Sequence, residues 1–420
     1  MIRIRRAARR FIPPRDAPVT GPIPPISTVL EKIMTSSALP MSGSEQLVRT
    51  RELVEQGTHQ GLHLGAQIYV SRGARGTVPF QQWQWVVGQR ADGLPMEADT
   101  LNLWLSATKP VTAVAFGLLW QRGEADLDDP VARFVPEFGA ENKGHITLRH
   151  VLTHTGGIRM LNLGWPDAGW DEILKNICAR RPEPRWPVGA KAGYHLASSW
   201  FVLGEVVSRI AGEPFPEFVR RELLLPCGME ESWIGMPEER FHAYGDRIGH
   251  MWSTAEKDGV RTPKLHGWHE APSVVGCSPG GNGRGPMREL GKFYEMLLRK
   301  GRTEDGQELL RPQTVEAMTQ PHRVGLLDRT FKQKLDWGLG FIVDSKHYGE
   351  NLVAYGYGNH ASRRTFGHSG SQSSTGFADP ENDLVVALMV NGQPGEPTHT
   401  KRQKALAEAI YEDLGLVESP

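Results

Sequence analysis

Two stretches near the start of the chain alternate apolar and polar residues with the period of two that β-strands show. They are GLHLGAQIYVSRG (61–73) and QWQWVVGQ (82–89), separated by a turn rich in glycine and arginine. This arrangement predicts an antiparallel hairpin. Strand patterns return only late in the chain, in WGLGFIVDS, RTFGHSGS, TGFADP and DLVVALMVNG.

Helical spacing dominates the sequence between these two strand-rich regions. The run LWLSATKPVTAVAFGLLWQRG is apolar on all sides and predicts a buried helix that ends at Gly123, a natural left-handed stop. Thr147 is a candidate N-cap for a helix that stops at Gly156, and a longer helix is predicted from Ser198 to Gly212. Four further segments have helical spacing: ISTVLEKIM, FPEFVRRELLLPCGM, MRELGKFYEMLLRKG and TKRQKALAEAIYEDLGL.

Early and late strands with helices between them predict an α+β fold. We expect an antiparallel β-sheet flanked by helices and built from both chain ends, with an inserted, mostly helical domain. Residues 1–25 are basic and then proline-rich, which predicts a flexible or extended tail. Residues 26–123 and 275–420 would form the sheet domain, and residues 124–274 the helical domain with a lid-like loop over 240–274.

Composition narrows the class of protein. Lysine plus arginine equals aspartate plus glutamate at 48 each, which gives no electrostatic case for nucleic acid or an anionic membrane. The apolar run after Lys109 is too short to span a bilayer. The three cysteines, Cys178, Cys227 and Cys277, have neither the number nor the spacing of a disulfide framework or a metal site. These features predict a cytoplasmic protein.

Ser106 and Lys109 lie three residues apart at the start of the apolar run. In a helix this spacing puts both side chains on one face. Pro110 is tolerated only in a first turn, so the helix should begin near Ser106, with the hydroxyl at its positive end. A serine needs an adjacent base to become a nucleophile, and a lysine in apolar surroundings has a lowered pKa. The pair is therefore a candidate nucleophile and base.

An ordered set of segments resembles the serine β-lactamase and penicillin-binding-protein superfamily. The resemblance is greatest to the class C β-lactamase-related branch, which includes the family VIII carboxylesterases. It rests on Ser-x-x-Lys at 106–109 and on the later segments LTHTGG, LLLPCGMEES, SPGG, WGLGF and FGHSGSQSSTG. The resemblance implies a β-lactamase-like fold and a serine nucleophile that forms an acyl-enzyme.

The resemblance also implies a tyrosine in the second motif. Tyr194, in GAKAGYHLASSW, would be the general base or acid in contact with Ser106 and Lys109. Whether tyrosinate or neutral lysine takes the serine proton stays open. The β-lactamase pattern continues from tyrosine to an asparagine two residues later, but here that position is Leu196, which cannot hold a substrate amide.

The third motif departs from the family pattern too. The usual Lys-Thr-Gly is His368-Ser369-Gly370, and His368 should be charged only part of the time near neutral pH. A neutral ester would lose less from this change than a penicillin. The resemblance places the backbone N–H of Ser371 in an oxyanion hole, opposite that of Ser106.

Other motifs in the sequence suggest rival sites. The sequence GCSPG around Ser278 fits the nucleophile elbow of α/β-hydrolases, but loop residues follow it where a helix is required. The segment GGNGRG (280–285) lacks the Gly-Lys-Ser/Thr of a phosphate loop. The histidine pairs at 150 and 154 and at 266 and 269 lack a third ligand for zinc.

The sequence therefore predicts a serine hydrolase that cleaves carboxylic esters, with a small-molecule ester as its partner and no cofactor or metal. One alternative is a β-lactamase, a D-amino-acid peptidase or amidase, or an acyltransferase of the same fold. The other is a non-catalytic member that binds ligands. Neither the acyl group nor the oligomeric state follows from the sequence.

Overall fold

The computed structural model describes residues 47–73, 80–349 and 356–417. The tail predicted for residues 1–25 and the helix predicted in ISTVLEKIM lie outside the described residues.

The main sheet has eight strands in the order β12-β13-β14-β15-β16-β1-β2-β3, and its strand pairs are antiparallel. The strands are β1 Gly65–Arg72, β2 Gln81–Ala91, β3 Leu94–Pro95, β4 Asn102–Leu103, β5 Trp252–Ser253, β6 Glu256–Lys257, β7 Val260–Arg261, β8 Lys264–Leu265, β9 Arg284–Gly285, β10 Leu327–Asp328, β11 Gln333–Lys334, β12 Asp336–Trp337, β13 Ile342–Val343, β14 Phe366–Ser369, β15 Thr375–Asp379, β16 Leu384–Val390 and β17 Gly392–Gln393.

The two ends of the chain meet at the centre of this sheet. Strand β1 pairs with its sequence neighbour β2, as the hairpin pattern predicts, and on its other side with β16. The register places Ala66 opposite Val390 and Arg72 opposite Leu384. The prediction of one antiparallel sheet built from early and late strands is confirmed.

Helices cover the sheet and fill the region between its early and late strands. They are α1 Val48–His59, α2 Lys109–Gln121, α3 Leu148–Leu152, α4 Trp170–Cys178, α5 Ser198–Ala211, α6 Phe215–Val219, α7 Glu238–Tyr244, α8 Ala271–Val275, α9 Met287–Leu298, α10 Pro312–Thr319 and α11 Glu396–Asp413. Helix α9 packs on β1, β15 and β16, whereas α1 and α11 pack together and share a second apolar cluster with residues of β1, β2 and β16.

Local sequence signals fix several helix ends. Helix α2 ends at Gln121 and Gly123 has a left-handed φ of 77°. The Thr147 side chain caps α3 in a reciprocal arrangement with His150. Helix α3 ends four residues before the predicted stop at Gly156, whereas α5 begins and ends as predicted with Gly212 as its left-handed cap.

The segment from 240 to 274 is more ordered than a loop prediction suggests. It contains most of α7 and α8 and the short strands β5 to β8, of which β5 pairs with β17 near the sheet. One apolar cluster joins residues of both predicted domains, among them Phe138, Trp200 and Phe293. The boundary between a sheet domain and a helical domain therefore stays a prediction. Among the described residues, no helix is both long and apolar enough to cross a membrane.

Candidate active site

Ser106 lies in a tight 3-10 turn, Leu105–Thr108, that leads directly into α2. Pro110 occupies the first turn of α2, where its missing N–H leaves no helical hydrogen bond unmade. The residue before the serine, Leu105, has a φ of 50°, a left-handed conformation that side chains rarely adopt. The sharp turn therefore presents Ser106 at the start of a buried helix, as its sequence predicts.

The Lys109 ammonium group lies directly beside the serine. Its Nζ is 2.9 Å from Ser106 Oγ and donates to the Gly280 carbonyl oxygen at 2.7 Å. The side chain is fully buried, and burial holds the pKa of Lys109 well below its usual value. A lysine in this state is a competent proton acceptor near neutral pH.

Tyr194 completes a three-residue cluster around the serine hydroxyl. Its phenol donates to Ser106 Oγ at 2.8 Å, and Lys109 Nζ lies 5.1 Å from the centre of its ring. Tyr194 comes from the loop that precedes α5, 88 residues after Ser106. The structure thus brings together the three residues that the sequence predicts to act as a unit.

A buried carboxylate holds the backbone of Tyr194, and the sequence analysis missed it. Asp328 Oδ1 accepts from the N–H groups of Tyr194 at 3.0 Å and Thr330 at 2.9 Å. Its other oxygen accepts from Arg323 at 3.1 Å, in an ion pair that solvent barely reaches. An aspartate that binds the N–H two residues on is a recognisable turn signal, but it does not identify the distant tyrosine.

The turn after β14 packs against the residues that precede Ser106. Gly370 leaves no room for a side chain, because a Cβ there would lie 2.8 Å from Leu105 Cβ. The Gly370 N–H donates to Ser374, whose hydroxyl in turn donates to the Trp104 carbonyl oxygen. The exposed Ser371 follows directly, and its carbonyl accepts from Gln393 at 2.8 Å.

Ser278 lies in the turn whose Gly280 carbonyl binds Lys109, and its surroundings differ from those of Ser106. Its N–H donates to Asn282 Oδ1 at 2.9 Å within a tight turn. A helix, α8, precedes it, whereas a nucleophile elbow requires a strand there. The same turn carries the Gly280 carbonyl that binds Lys109, so it supports the candidate site without forming an elbow.

Known proteins resemble this chain over most of its length. A family model described as Beta-lactamase matches residues 50–410. The chain belongs to the β-lactamase family. It is 26% identical over 403 residues to the esterase EstB of Burkholderia gladioli, which covers 89% of this chain and 97% of that protein. It is also 26% identical over 326 residues to the esterase/beta-lactamase LipL of Mycobacterium tuberculosis strain H37Rv, covering 72% of each.

Solved structures of the β-lactamase family share the fold. A penicillin-binding-protein homologue from Caulobacter crescentus superposes with a TM-score of 0.68 at 25% identity, covering 88% of this chain and 97% of the other. A family VIII carboxylesterase gives a TM-score of 0.69 at 24% identity with the same coverage. The β-lactamase-like fold predicted from the sequence is therefore confirmed.

The third motif of the β-lactamase family carries no charge in this chain. His368 is buried, and burial together with nearby Lys109 lowers its pKa to about 3. Its Nδ1 lies 2.9 Å from the Ser369 carbonyl oxygen, which can only accept, so the proton is on Nδ1. The expectation of partial charge near neutral pH was wrong, because it neglected burial. The Ser369 hydroxyl accepts from Thr375 at 3.0 Å.

The second motif presents an apolar side chain where the β-lactamase family pattern has an amide. Leu196 is 53% exposed, so it adds apolar surface and no hydrogen bond. The intervening His195 is buried instead. Its ring Nε2 accepts from the Ile158 N–H at 3.0 Å, and its backbone N–H donates to His154 Nδ1.

The histidine pairs do not form a metal site. His154 contacts the Tyr194 and Trp337 rings at 4.9 and 4.4 Å between centroids, whereas His150 belongs to the cap of α3. No group of three histidine, cysteine, aspartate or glutamate side chains within the described ranges is arranged to hold a metal ion.

Proposed function

We propose that this protein is a serine hydrolase that cleaves carboxylic esters through an acyl-enzyme on Ser106. One observation carries the proposal: the Ser106 hydroxyl is in hydrogen-bond contact with both the Tyr194 phenol and the Lys109 amine. Two groups able to exchange protons thus converge on one serine oxygen, which is the arrangement that an activated nucleophile requires. The names of the esterase relatives agree with it.

The first step is attack of Ser106 Oγ on the ester carbonyl. Because Lys109 is buried and none of the described carboxylates pairs with it, burial shifts it toward the neutral amine, whose Nζ can accept the serine proton. One of its N–H bonds still donates to Gly280 during this transfer. Tyr194, whose phenol contacts the same Oγ, can give its own proton to the departing alcohol oxygen, and the Lys109 ammonium then returns the serine proton to the Tyr194 phenolate.

The carbonyl oxygen gains negative charge during the attack. We assign the backbone N–H groups of Ser106 and Ser371 to this oxyanion, each contributing about 3 kcal/mol to the rate on the usual scale. The packing of Gly370 against Trp104 and Leu105 supports this assignment, because it fixes Ser371 relative to the nucleophile turn. Water then cleaves the acyl-enzyme by the reverse proton path.

Neutral His368 and apolar Leu196 favour simple esters over β-lactams as substrates. A charge-assisted hydrogen bond contributes about 1.5–3 kcal/mol and a neutral one roughly 1, so the lost contacts amount to two or three decades in lactam turnover. We expect kcat/KM for p-nitrophenyl butyrate to exceed that for nitrocefin by at least about tenfold. Equal or better turnover of nitrocefin would make the β-lactamase alternative the leading function.

A fluorophosphonate probe separates an enzyme from a ligand-binding relative. We expect it to label Ser106, identified by peptide mass spectrometry, and to stop ester hydrolysis in proportion to labelling. A correctly folded protein that is not labelled and hydrolyses no ester would contradict the proposal and support the non-catalytic alternative.

We further infer a reducing compartment, the cytoplasm, as the place of action. The three cysteines are unpaired, with Cys178 and Cys227 buried and Cys277 half-buried. Measurement of free thiols in protein isolated under non-reducing conditions tests this, and three titratable thiols after unfolding are expected.

A further inference from the structure

Arg284 is a fully buried arginine close to the nucleophile turn. It lies on β9, opposite Leu103 of β4, three residues before Ser106, and only 1% of its surface is exposed. Its Nη2 donates to the Trp268 carbonyl oxygen. The Nε and Nη1 atoms are buried and have no hydrogen-bond partner in the described part of the chain.

Two other buried arginines form more hydrogen bonds than Arg284, although Nε of Arg323 also has no hydrogen-bond partner among the described residues. Arg323 forms an ion pair with Asp328, and Arg402 donates to the carbonyls of Leu62, Gln372 and Gly392. Arg284 has no ion-pair partner among the described residues, and burial alone lowers its pKa to about 9. It is therefore still a cation at neutral pH, and an unpaired buried charge with unmet donors is costly.

The Trp268 carbonyl that binds Arg284 belongs to the segment 250–269, which contains several half-exposed rings. The His266 ring stacks on Trp268 with centroids 4.3 Å apart, and the His250 and His269 rings lie 3.9 Å apart. His250 Nδ1, like the two Arg284 nitrogens, is buried without a hydrogen-bond partner among the described residues. The free N–H groups of Arg284 would be satisfied by a ligand with several acceptor atoms.

The segment 250–269 is connected to the proposed oxyanion turn. The Gln393 side chain donates to the Ser371 carbonyl and also reaches His266, and β17, which contains Gln393, pairs with β5 next to His250. On its other side, β9 continues from the turn whose Gly280 carbonyl binds Lys109. The surroundings of Arg284 are therefore connected to Lys109 through the turn before β9 and to Ser371 through Gln393.

We propose that Arg284 binds a carboxylate carried by the ester substrate, so that the preferred substrates are half-esters of dicarboxylic acids or esters of carboxylated alcohols. The inference rests on the proposed function, because it assigns the substrate class of the same site. Arg284 would bind the remote carboxylate, and Ser106 would attack the ester carbonyl.

The first test uses the unmodified protein and pairs of esters that differ only in the carboxylate. Monoethyl succinate, glutarate and adipate are compared with ethyl butyrate, pentanoate and hexanoate by pH-stat titration. Ethyl esters are used because the free carboxylate of an aryl half-ester attacks its own ester group without an enzyme. A second arm compares 4-carboxyphenyl butyrate with 4-carbamoylphenyl butyrate, which moves the carboxylate to the alcohol. We expect at least one charged ester to exceed its neutral partner about tenfold in kcat/KM.

The second test asks whether Arg284 causes the preference. Arg284→Met keeps the length and apolar stem of the side chain, and we expect the charged-to-neutral ratio to fall about tenfold or more, whatever happens to each rate. Arg220→Met is the matched control, because Arg220 lies on the neighbouring Trp233 ring and its donors are satisfied by the Met229 and Ser232 carbonyls. Its ratio should stay within twofold of the unmodified protein.

The outcomes separate the two proposals. Hydrolysis of neutral esters with no preference for any charged partner would contradict the proposed carboxylate site but not the proposed esterase function. An unchanged ratio in a folded Arg284→Met variant does the same. No hydrolysis of any ester overturns the esterase function itself. Should Arg284→Met not fold, competitive inhibition of the unmodified protein by glutarate, but not by glutaramide, decides the question.

Discussion

Lys109 contacts Ser106 and the turn that contains Ser278, and only one of these two serines has the surroundings of a nucleophile. Ser106 Oγ contacts an amine and a phenol at the start of a buried helix, whereas Ser278 lies in a glycine turn whose backbone binds that amine. Both match a short hydrolase motif. The difference shows that a short motif identifies a candidate serine, whereas the groups that exchange protons with its oxygen determine whether that serine is a nucleophile.

Exchanging each serine for alanine tests this comparison most directly. Ser106→Ala should lower ester turnover by about four orders of magnitude or more, because nothing else can form the acyl-enzyme. Ser278→Ala should stay within about threefold, as its N–H contact to Asn282 does not need the hydroxyl. Turnover of p-nitrophenyl butyrate is the measurement, and the reverse pattern would move the site to Ser278.

The proton-exchanging partners of Ser106 should show the next largest effects. Lys109→Ala and Tyr194→Phe should each lower kcat by about 10² to 10⁴, the usual contribution of general acid–base groups. The double variant should be little worse than either single one, because the residues act as a unit. Single-turnover acylation rates measure this. Additive losses would mean that the two groups serve separate steps.

The buried aspartate behind Tyr194 should have a smaller effect. Asp328→Asn keeps the shape but weakens the contact to the Tyr194 N–H and leaves Arg323 without its counter-charge. We expect kcat to fall roughly tenfold, or 1.4 kcal/mol, with little change in KM. Asp379→Asn is the control: this buried carboxylate binds Tyr411, so stability should fall without loss of kcat. A larger effect on KM than on kcat would contradict a positioning role.

The smallest expected effect is that of the buried Lys109 amine on the free energy of unfolding. Burial lowers the pKa of Lys109 in the folded protein, so the unfolded state binds the proton more tightly and stability rises with pH until the ordinary lysine pKa is passed. Lys109→Met should therefore stabilise the protein by about 1 to 2 kcal/mol at pH 7, a typical gain, and by less as the pH approaches 10. Urea unfolding at both pH values measures this.

Lys143→Met is the matched control for that measurement. Lys143 is equally buried by surface area, but its ammonium donates to the carbonyls of Ala140, Cys178 and Arg180. Its removal should destabilise the protein, because three carbonyls lose their partner. A loss of stability in Lys109→Met as well would show that the Lys109 contacts outweigh the cost of burying its amine.

The sequence predicted what depends on neighbours along the chain. Pro110 fixes the start of α2, Thr147 the cap of α3 and the alternation at 82–89 a strand of the hairpin, because these signals act over a few residues. The resemblance supplied Tyr194. Neither route could reveal Asp328, which is 134 residues from the tyrosine whose backbone it binds.

Burial was the other quantity that local patterns could not supply. The charge state of His368 follows from its enclosure beside Lys109, not from the residue type alone. Arg284 lies in the glycine-rich segment 280–285, in which no local pattern predicts a charged binding site. Its unmet donors become visible only when β9 is placed beside β4 and under Trp268.

The pairing of β1 with β16 has a consequence for how the protein is made. On the ribosome, Ala66 cannot pair with Val390 until strand β16 has been synthesised. The hairpin of β1 and β2 emerges early with an unpaired apolar edge, which is a template for aggregation. Closing so long a loop is slow, and the nascent chain therefore depends on its helical middle part, or on a chaperone, to keep that edge covered until translation ends.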